Sequence, residues 1–144
     1  MTVKQLSVFV ENRPGRLSAV TGMLGNAGIN IRAISIADTK DFGIMRIIVS
    51  DAEKAAAVLK ENNCLVTVSS VIAVEIDDKP CGMAKVMDTL YKDNISVEYM
   101  YAAFLNVSES TACLILRTDS SERAVEALTE AGYRLLSEEE MKKI

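Results

Sequence analysis

The residues best suited to chemistry in this sequence crowd into one short stretch, Glu11–Ile31, ENRPGRLSAVTGMLGNAGINI. Asn12 offers two donors and an acceptor, and Arg13 and Arg16 add positive charge beside it. Pro14 fixes its own φ and lacks an N–H, which suits the first turn of a helix; Gly15 permits a sharp bend or the close approach of a ligand. The N–H groups of Gly15, Arg16 and Leu17 would then point out of a helix start, where a carboxylate or phosphate is stabilised. This is the chemistry of holding a small anion or zwitterion. The competing reading is structural: Asn12 caps the helix, Pro14-Gly15 only turns the chain, and both arginines are solvated.

Other chemistries are excluded by what the chain lacks. It has 144 residues and no histidine, which removes Ser-His-Asp and Cys-His catalysis together with the commonest metal ligand. No clustered carboxylates or lysines take their place, so no catalytic residue, metal or cofactor is expected. A net charge of −4 argues against a nucleic-acid surface. Met1–Gln5 leads directly into a strand-like run and no apolar stretch approaches the roughly 20 residues of a membrane span, so neither an export leader nor a membrane partner is expected. Cys64, Cys81 and Cys113 lack CxxC spacing and read as reduced thiols in core or turn positions of a cytoplasmic protein.

The elements that must position the stretch follow from periodicity. Leu6, Val8 and Val10 alternate with Gln5, Ser7 and Phe9, which predicts a strand over Gln5–Glu11. Leu17, Val20, Thr21 and Leu24 recur at helical spacing and predict an inward helix face, closed by Gly28. Ile31–Asp38 and Phe42–Val49 read as strands joined by a turn at Thr39-Lys40-Asp41. Ser50–Glu53 carries capping-box spacing before a helix through Lys60 with Ala55, Ala56 and Leu59 inward, and Leu65–Val68 begins a fourth strand. The order β-α-β-β-α-β is that of a ferredoxin-like unit.

The pattern then repeats. An offset of 66 residues carries Arg13–Ile31 onto Lys79–Val97 without a gap: Leu17 meets Met83, Val20 meets Val86, Leu24 meets Leu90, Gly28 meets Asn94 and Ile31 meets Val97. Further on the offset is 69, pairing Leu59 with Leu128 and Asn63 with Gly132. The change falls in a hairpin that Leu105–Ser110 would lengthen, and insertions belong in loops. The expected fold class is α+β: two tandem ferredoxin-like βαββαβ units with antiparallel sheets, over 1–69 and 70–144, dividing near Ser69-Ser70. Ser137–Glu140 repeats the capping-box spacing before a short final helix. Both faces of each sheet look apolar, which predicts burial against the other half or a second chain, hence a homodimer. Met83, Met87 and Met100 read as core, and Tyr99 and Tyr101 as packing residues rather than a base-stacking pair.

Glu11-Asn12-Arg13-Pro14-Gly15-Arg16-Leu17, followed by Gly28-Ile29-Asn30-Ile31, resembles the ACT domain, the small βαββαβ module that senses amino acids. The likeness is strongest to the serine-sensing regulatory domain of phosphoglycerate dehydrogenase. It spans the chain as two units with no enzyme domain attached. The resemblance implies a non-catalytic regulatory protein that binds a free amino acid between side-by-side units. It places the ligand in the turn before the first helix of one unit (Asn12 to Leu17) and against the start of the second strand of the facing unit (Asn30, Ile31). Serine sensors carry a histidine two residues before the turn asparagine; here that position is Val10. In the second unit the matching positions are Asp78, Cys81, Gly82, Met83 and Ser96, a changed site or merely the wall of the first. The alternatives are an interaction subunit that docks on an amino-acid biosynthetic enzyme with vestigial pockets, or a small enzyme of ferredoxin-like fold.

Overall fold

Residues 1–38, 41–105 and 108–143 are described by the computed structural model. Thr39 and Lys40 of the first predicted loop, and Asn106 and Val107 of the second, lie outside the described residues. The elements run β1 (Val3–Glu11), α1 (Arg16–Asn26), β2 (Ile31–Asp38), β3 (Phe42–Val49), α2 (Ala52–Glu61), β4 (Val66–Asp77), α3 (Gly82–Lys92), β5 (Val97–Ala102), β6 (Thr111–Thr118), α4 (Ser121–Glu130) and α5 (Glu138–Lys143). The chain divides into two compact units, one spanning Lys4–Ser69, the other running from Ser70 onward together with Met1–Val3. Strand β4 serves both, and the strand orders are β2-β3-β1-β4 and β4-β6-β5. Two antiparallel ferredoxin-like units result. In the second, the last strand of the motif shrinks to a single bridge between Val74 and Leu135.

In the first unit, alternation along β1 sends Leu6, Val8 and Val10 to the helix side, where they meet Met45, Ile47 and Val49 of β3. Val20 and Leu24 of α1 and Ala55, Ala56 and Leu59 of α2 close that core. The second unit repeats it with Ile72, Val74, Leu114 and Leu116 under Val86, Leu90, Ala124 and Leu128. The duplication reaches the backbone itself. Every positive φ among the described residues falls on a repeat-matched pair: Gly15 (87°) with Cys81 (67°), Gly28 (74°) with Asn94 (53°), and Asn63 (61°) with Gly132 (86°). Helices α1, α2, α3 and α4 all end on the same back-bond, from the third residue beyond the helix: Ile29 to Leu24, Cys64 to Leu59, Ile95 to Leu90 and Tyr133 to Leu128, each at 2.9–3.0 Å.

Several expectations are corrected. Helix α2 is capped by Asp51, whose carboxylate accepts from the Lys54 amide at 3.0 Å; the Ser50 hydroxyl instead accepts from the Asn30 amide. Leu17 is 41% exposed, and Met83 and Met100 are exposed rather than core. On the second face of the first sheet Gln5, Ala33 and Ile48 are buried, with Gln5 donating to the Ser7 and Ser69 hydroxyls, while Phe9 and Phe42 are exposed.

The final helix has the reciprocal cap its sequence spacing implied. The Ser137 amide donates to Glu140 Oε2 at 2.8 Å and the Glu140 amide to Ser137 Oγ at 3.2 Å, while Arg134 joins Glu140 (2.7 Å) to Glu75 (3.1 Å). These bonds to Ser137 and Arg134 lower the Glu140 pKa from 4.5 to about 2. A carboxylate depressed in the folded state contributes above its unfolded pKa and ceases to contribute once protonated. Amide protection at Met141, whose N–H bonds the Ser137 carbonyl, is therefore expected to fall as pH drops from 4.5 toward 2. Glu140→Gln should abolish that pH dependence in hydrogen exchange; a fall unchanged by this substitution would refute the assignment.

Candidate functional site

The end of β1 and the start of α1 build the turn that the sequence singles out. The Asn12 amide donates to the Asp41 carbonyl (3.2 Å), anchoring the turn to the beginning of β3. Gly15, at φ 87° and ψ −13°, is the N-cap of α1, and no side chain caps this helix. Asn12 therefore does not cap it. The Asn12 side chain is exposed and makes no hydrogen bond among the described residues. A Cβ on Gly15 would meet nothing within 4 Å, so its glycine is required by left-handed backbone alone.

Of the three amides expected to face a ligand, that of Arg16 already donates to the Arg13 carbonyl at 3.3 Å, leaving those of Gly15 and Leu17. Arg13 is neutralised by Glu11, its Nε 2.8 Å from the carboxylate, across an exposed pair of small energetic weight. Arg16 differs: it is half-buried, and its Nε lies out of solvent without a hydrogen-bond partner. Pro14 is exposed at the tip. Beneath the turn lies a cleft of about 50 Å³ lined by Val10, Glu11, Asn12, Leu17, Ile36 and Gly43. Ile36 and Gly43 also line this cleft, and the sequence analysis did not single them out. Their signal was pairing, since β2 and β3 bring both to the end of the sheet where β1 stops.

Asn30 and Ile31 fall elsewhere. Ile31 pairs with Val49 while Glu11 pairs with Phe42, so the two asparagines sit at opposite ends of one sheet. They are separated by about the length of α1, 11 residues or about 16 Å. Within one unit they cannot touch the same small ligand.

The second turn is built on the same plan with different constraints. Asp78 is exposed, its amide donating to Ser110 (2.9 Å), and the Ser96 amide donates to Asp119 at 3.2 Å. Cys81 takes the left-handed N-cap position, and Gly82, first residue of α3, is packed so that a Cβ there would run into the Asp77 carbonyl. Met83 is exposed beside it. A non-glycine residue in left-handed backbone costs about 1–2 kcal/mol, partly offset by the unfolded-state entropy that glycine would add. Cys81 is exposed, so Cys81→Gly forfeits no packing; it should raise stability by about 0.5–1 kcal/mol in urea titration. A decrease would contradict the strained backbone. Cys64 and Cys113 are buried thiols, and burial together with the nearby Glu75 pushes Cys113 up to about 12, so it stays protonated. No helix among the described residues is long and apolar enough to cross a membrane.

The family described as “ACT domain pair” matches residues 1–144. The acetolactate synthase small subunit of Buchnera aphidicola is 32% identical over 76 residues, 51% of this chain and 48% of that protein. That of Mycolicibacterium smegmatis is 33% identical over 76 residues, 51% and 45% of the two chains. The chain thus spans about half the length of the curated relatives it matches. The crystal structure of protein BT0572 from Bacteroides thetaiotaomicron superposes with a TM-score of 0.93 at 37% identity, covering 100% of this chain and 98% of that one. The ligand-free regulatory subunit of aspartate kinase from Thermus thermophilus shares the fold at 17% identity, with a TM-score of 0.63 over 90% and 91%.

Proposed function

The chain belongs to the ACT domain pair family, and from that premise we propose that it is a non-catalytic regulatory protein that binds a free amino acid at the Asn12 turn. What carries the reading is the Asn12 side chain: it does not cap α1, has no hydrogen-bond partner among the described residues, and lines a cleft at this turn. The Gly15 and Leu17 amides receive the ligand carboxylate, a charge–helix-end interaction worth about 0.3–2 kcal/mol. Asn12 orients the zwitterion. Asn30 and Ile31, too far away within one unit, act from the facing unit of a second chain, so the proposal includes a homodimer. Asp78, Cys81, Gly82, Met83 and Ser96 form a changed site, in which the Asp78 carboxylate repels a ligand carboxylate.

A handful of such contacts supports affinities of about 10 μM to 1 mM, or about −7 to −4 kcal/mol, suited to following a metabolite pool. Because binding biases the packing of units, it signals without chemistry. Both curated relatives are small subunits of acetolactate synthase, which favours an amino-acid biosynthetic enzyme as the partner that receives the signal. The three free thiols fit a cytoplasmic setting. Isothermal titration or thermal shift across the twenty amino acids is the direct test. A saturable response to at least one is expected, and silence from a folded sample would overturn the proposal.

A further inference from the structure

Away from the Asn12 turn, the first unit carries a larger groove whose lining the second unit does not repeat. Residues of α2, β1 and β4 enclose about 440 Å³, inside the range of small-molecule sites, about 300–1,000 Å³. Ala52 and Ala56 form its buried floor, and Val68 of β4, 50% exposed, forms a wall. Ala57 lies at its lip. The 69-residue offset between the units sets Val125, Glu126 and Thr129 where the first unit has Ala56, Ala57 and Lys60. Val125 packs onto the second core with the branched side chain that Ala56 lacks. The groove is therefore made by residue choice and not by the βαββαβ frame.

Charge stands at both ends of the groove and is free at one. Lys4 is 3.0 Å from Glu53, an ion pair that leaves its aliphatic stem to line the space. Lys60, in the last turn of α2, also lines it, and its ammonium has no hydrogen bond or ion pair among the described residues. Ala52 and Lys60 are separated by eight positions, about 12 Å along the helix. An apolar floor of that length, ending in one unpaired cation, complements a hydrocarbon chain with a single negative end. Polar groups laid along the floor would give up water without finding a partner, and an ammonium would meet the like charge of Lys60. We infer that this groove is a second binding site, for a free medium-chain carboxylate whose tail covers Ala56 and Val68 and whose head pairs with Lys60. It is separate from the amino-acid site, because Lys4 and Asn12 lie at opposite ends of β1, about 25 Å apart.

Calorimetric titration of the full chain with octanoate, 1-octanol and octylamine separates tail from head. The same titrations on Lys60→Gln and Ala57→Glu locate the site; both are exposed helix positions, and circular dichroism checks folding. Octanoate is expected to saturate and to bind about three- to fivefold more tightly than the alcohol, the yield of an exposed ion pair, with the amine weakest. Lys60→Gln should bring octanoate down to octanol and leave octanol unchanged. Ala57→Glu gives Lys60 a partner three residues away and sets a like charge beside the ligand head, so octanoate should weaken about tenfold. Asn12→Ala should leave octanoate binding as it is. Failure of octanoate to saturate, equal affinity for the three head groups, or binding that neither groove substitution weakens would overturn the site. An Asn12→Ala loss as large as that of Lys60→Gln would place the carboxylate at the turn and overturn it as well.

Discussion

Asn12→Ala is expected to lose about 10- to 100-fold in amino-acid affinity, which carries a ligand of 10 μM to 1 mM beyond practical detection. The magnitude follows from what the side chain would do. A hydrogen bond to a charged group contributes about 1.5–3 kcal/mol, against about 0.5–1.5 kcal/mol for a neutral one, and a zwitterion presents only charged ends. Arg13 is paired with Glu11 and the Arg16 amide with the Arg13 carbonyl, so neither takes over the role of Asn12. The substitution should leave stability within about 0.5 kcal/mol, since Asn12 is exposed and its side chain has no hydrogen-bond partner among the described residues. Asp78→Ala is the matched control in the second unit and should change affinity by less than about threefold, roughly 0.6 kcal/mol. Equal effects from the two substitutions, read by titration calorimetry, would show that the two turns are misranked.

Gly82→Ala should destabilise the protein by about 2–5 kcal/mol, the largest effect on folding of any single change considered. A Cβ at this position meets the carbonyl of Asp77, which is backbone at the end of β4 and cannot swing aside as a side chain would. Relief requires opening the turn, at the expense of the Gly82-to-Lys79 bond (3.0 Å) and the Asp78-to-Ser110 bond (2.9 Å). Overpacking of this kind costs about 1–3 kcal/mol and each lost hydrogen bond about 0.5–1.5 kcal/mol. Set against a total stability of about 5–15 kcal/mol, the loss is large. Gly15→Ala separates crowding from backbone strain: its Cβ enters open space, so only the left-handed penalty of about 1–2 kcal/mol applies. Urea titrations in which the Gly82→Ala loss is no larger than the Gly15→Ala loss would remove the steric account.

Much of the fold was legible because its signals are local. Val20 and Leu24, or Ala55 and Leu59, announce buried helix faces by spacing alone, and the Asn63–Gly132 match marked two helix ends that do adopt positive φ. The errors share one origin. Ser50 and Asp51 are both good caps, and which one serves depends on where the Ser50 hydroxyl is drawn, here to the Asn30 amide across the chain. Leu17 keeps the spacing of a core residue yet lines a cleft with Val10, Ile36 and Gly43, for spacing records direction around a helix and not where the opposing strands end. Met83 was misplaced for the same reason, whereas Met100 lies in the edge strand β5 on the more exposed face, opposite Tyr99 and Tyr101.

By itself the sequence determined the duplicated βαββαβ order, the stops of the first four helices, and the Asn-Arg-Pro-Gly turn as the place to look, since each rests on residues a few positions apart. Only the tertiary structure decided that Asn12 is spare rather than a cap, that Arg16 keeps an unsatisfied donor, and that Gly43 and Ile36 complete an apolar cleft. It also decided that Gly82 is locked by Asp77, where Gly15 faces open space. Those properties depend on which backbone atoms strand pairing and chain reversal bring within a few ångströms, and such distances are set by the packed whole.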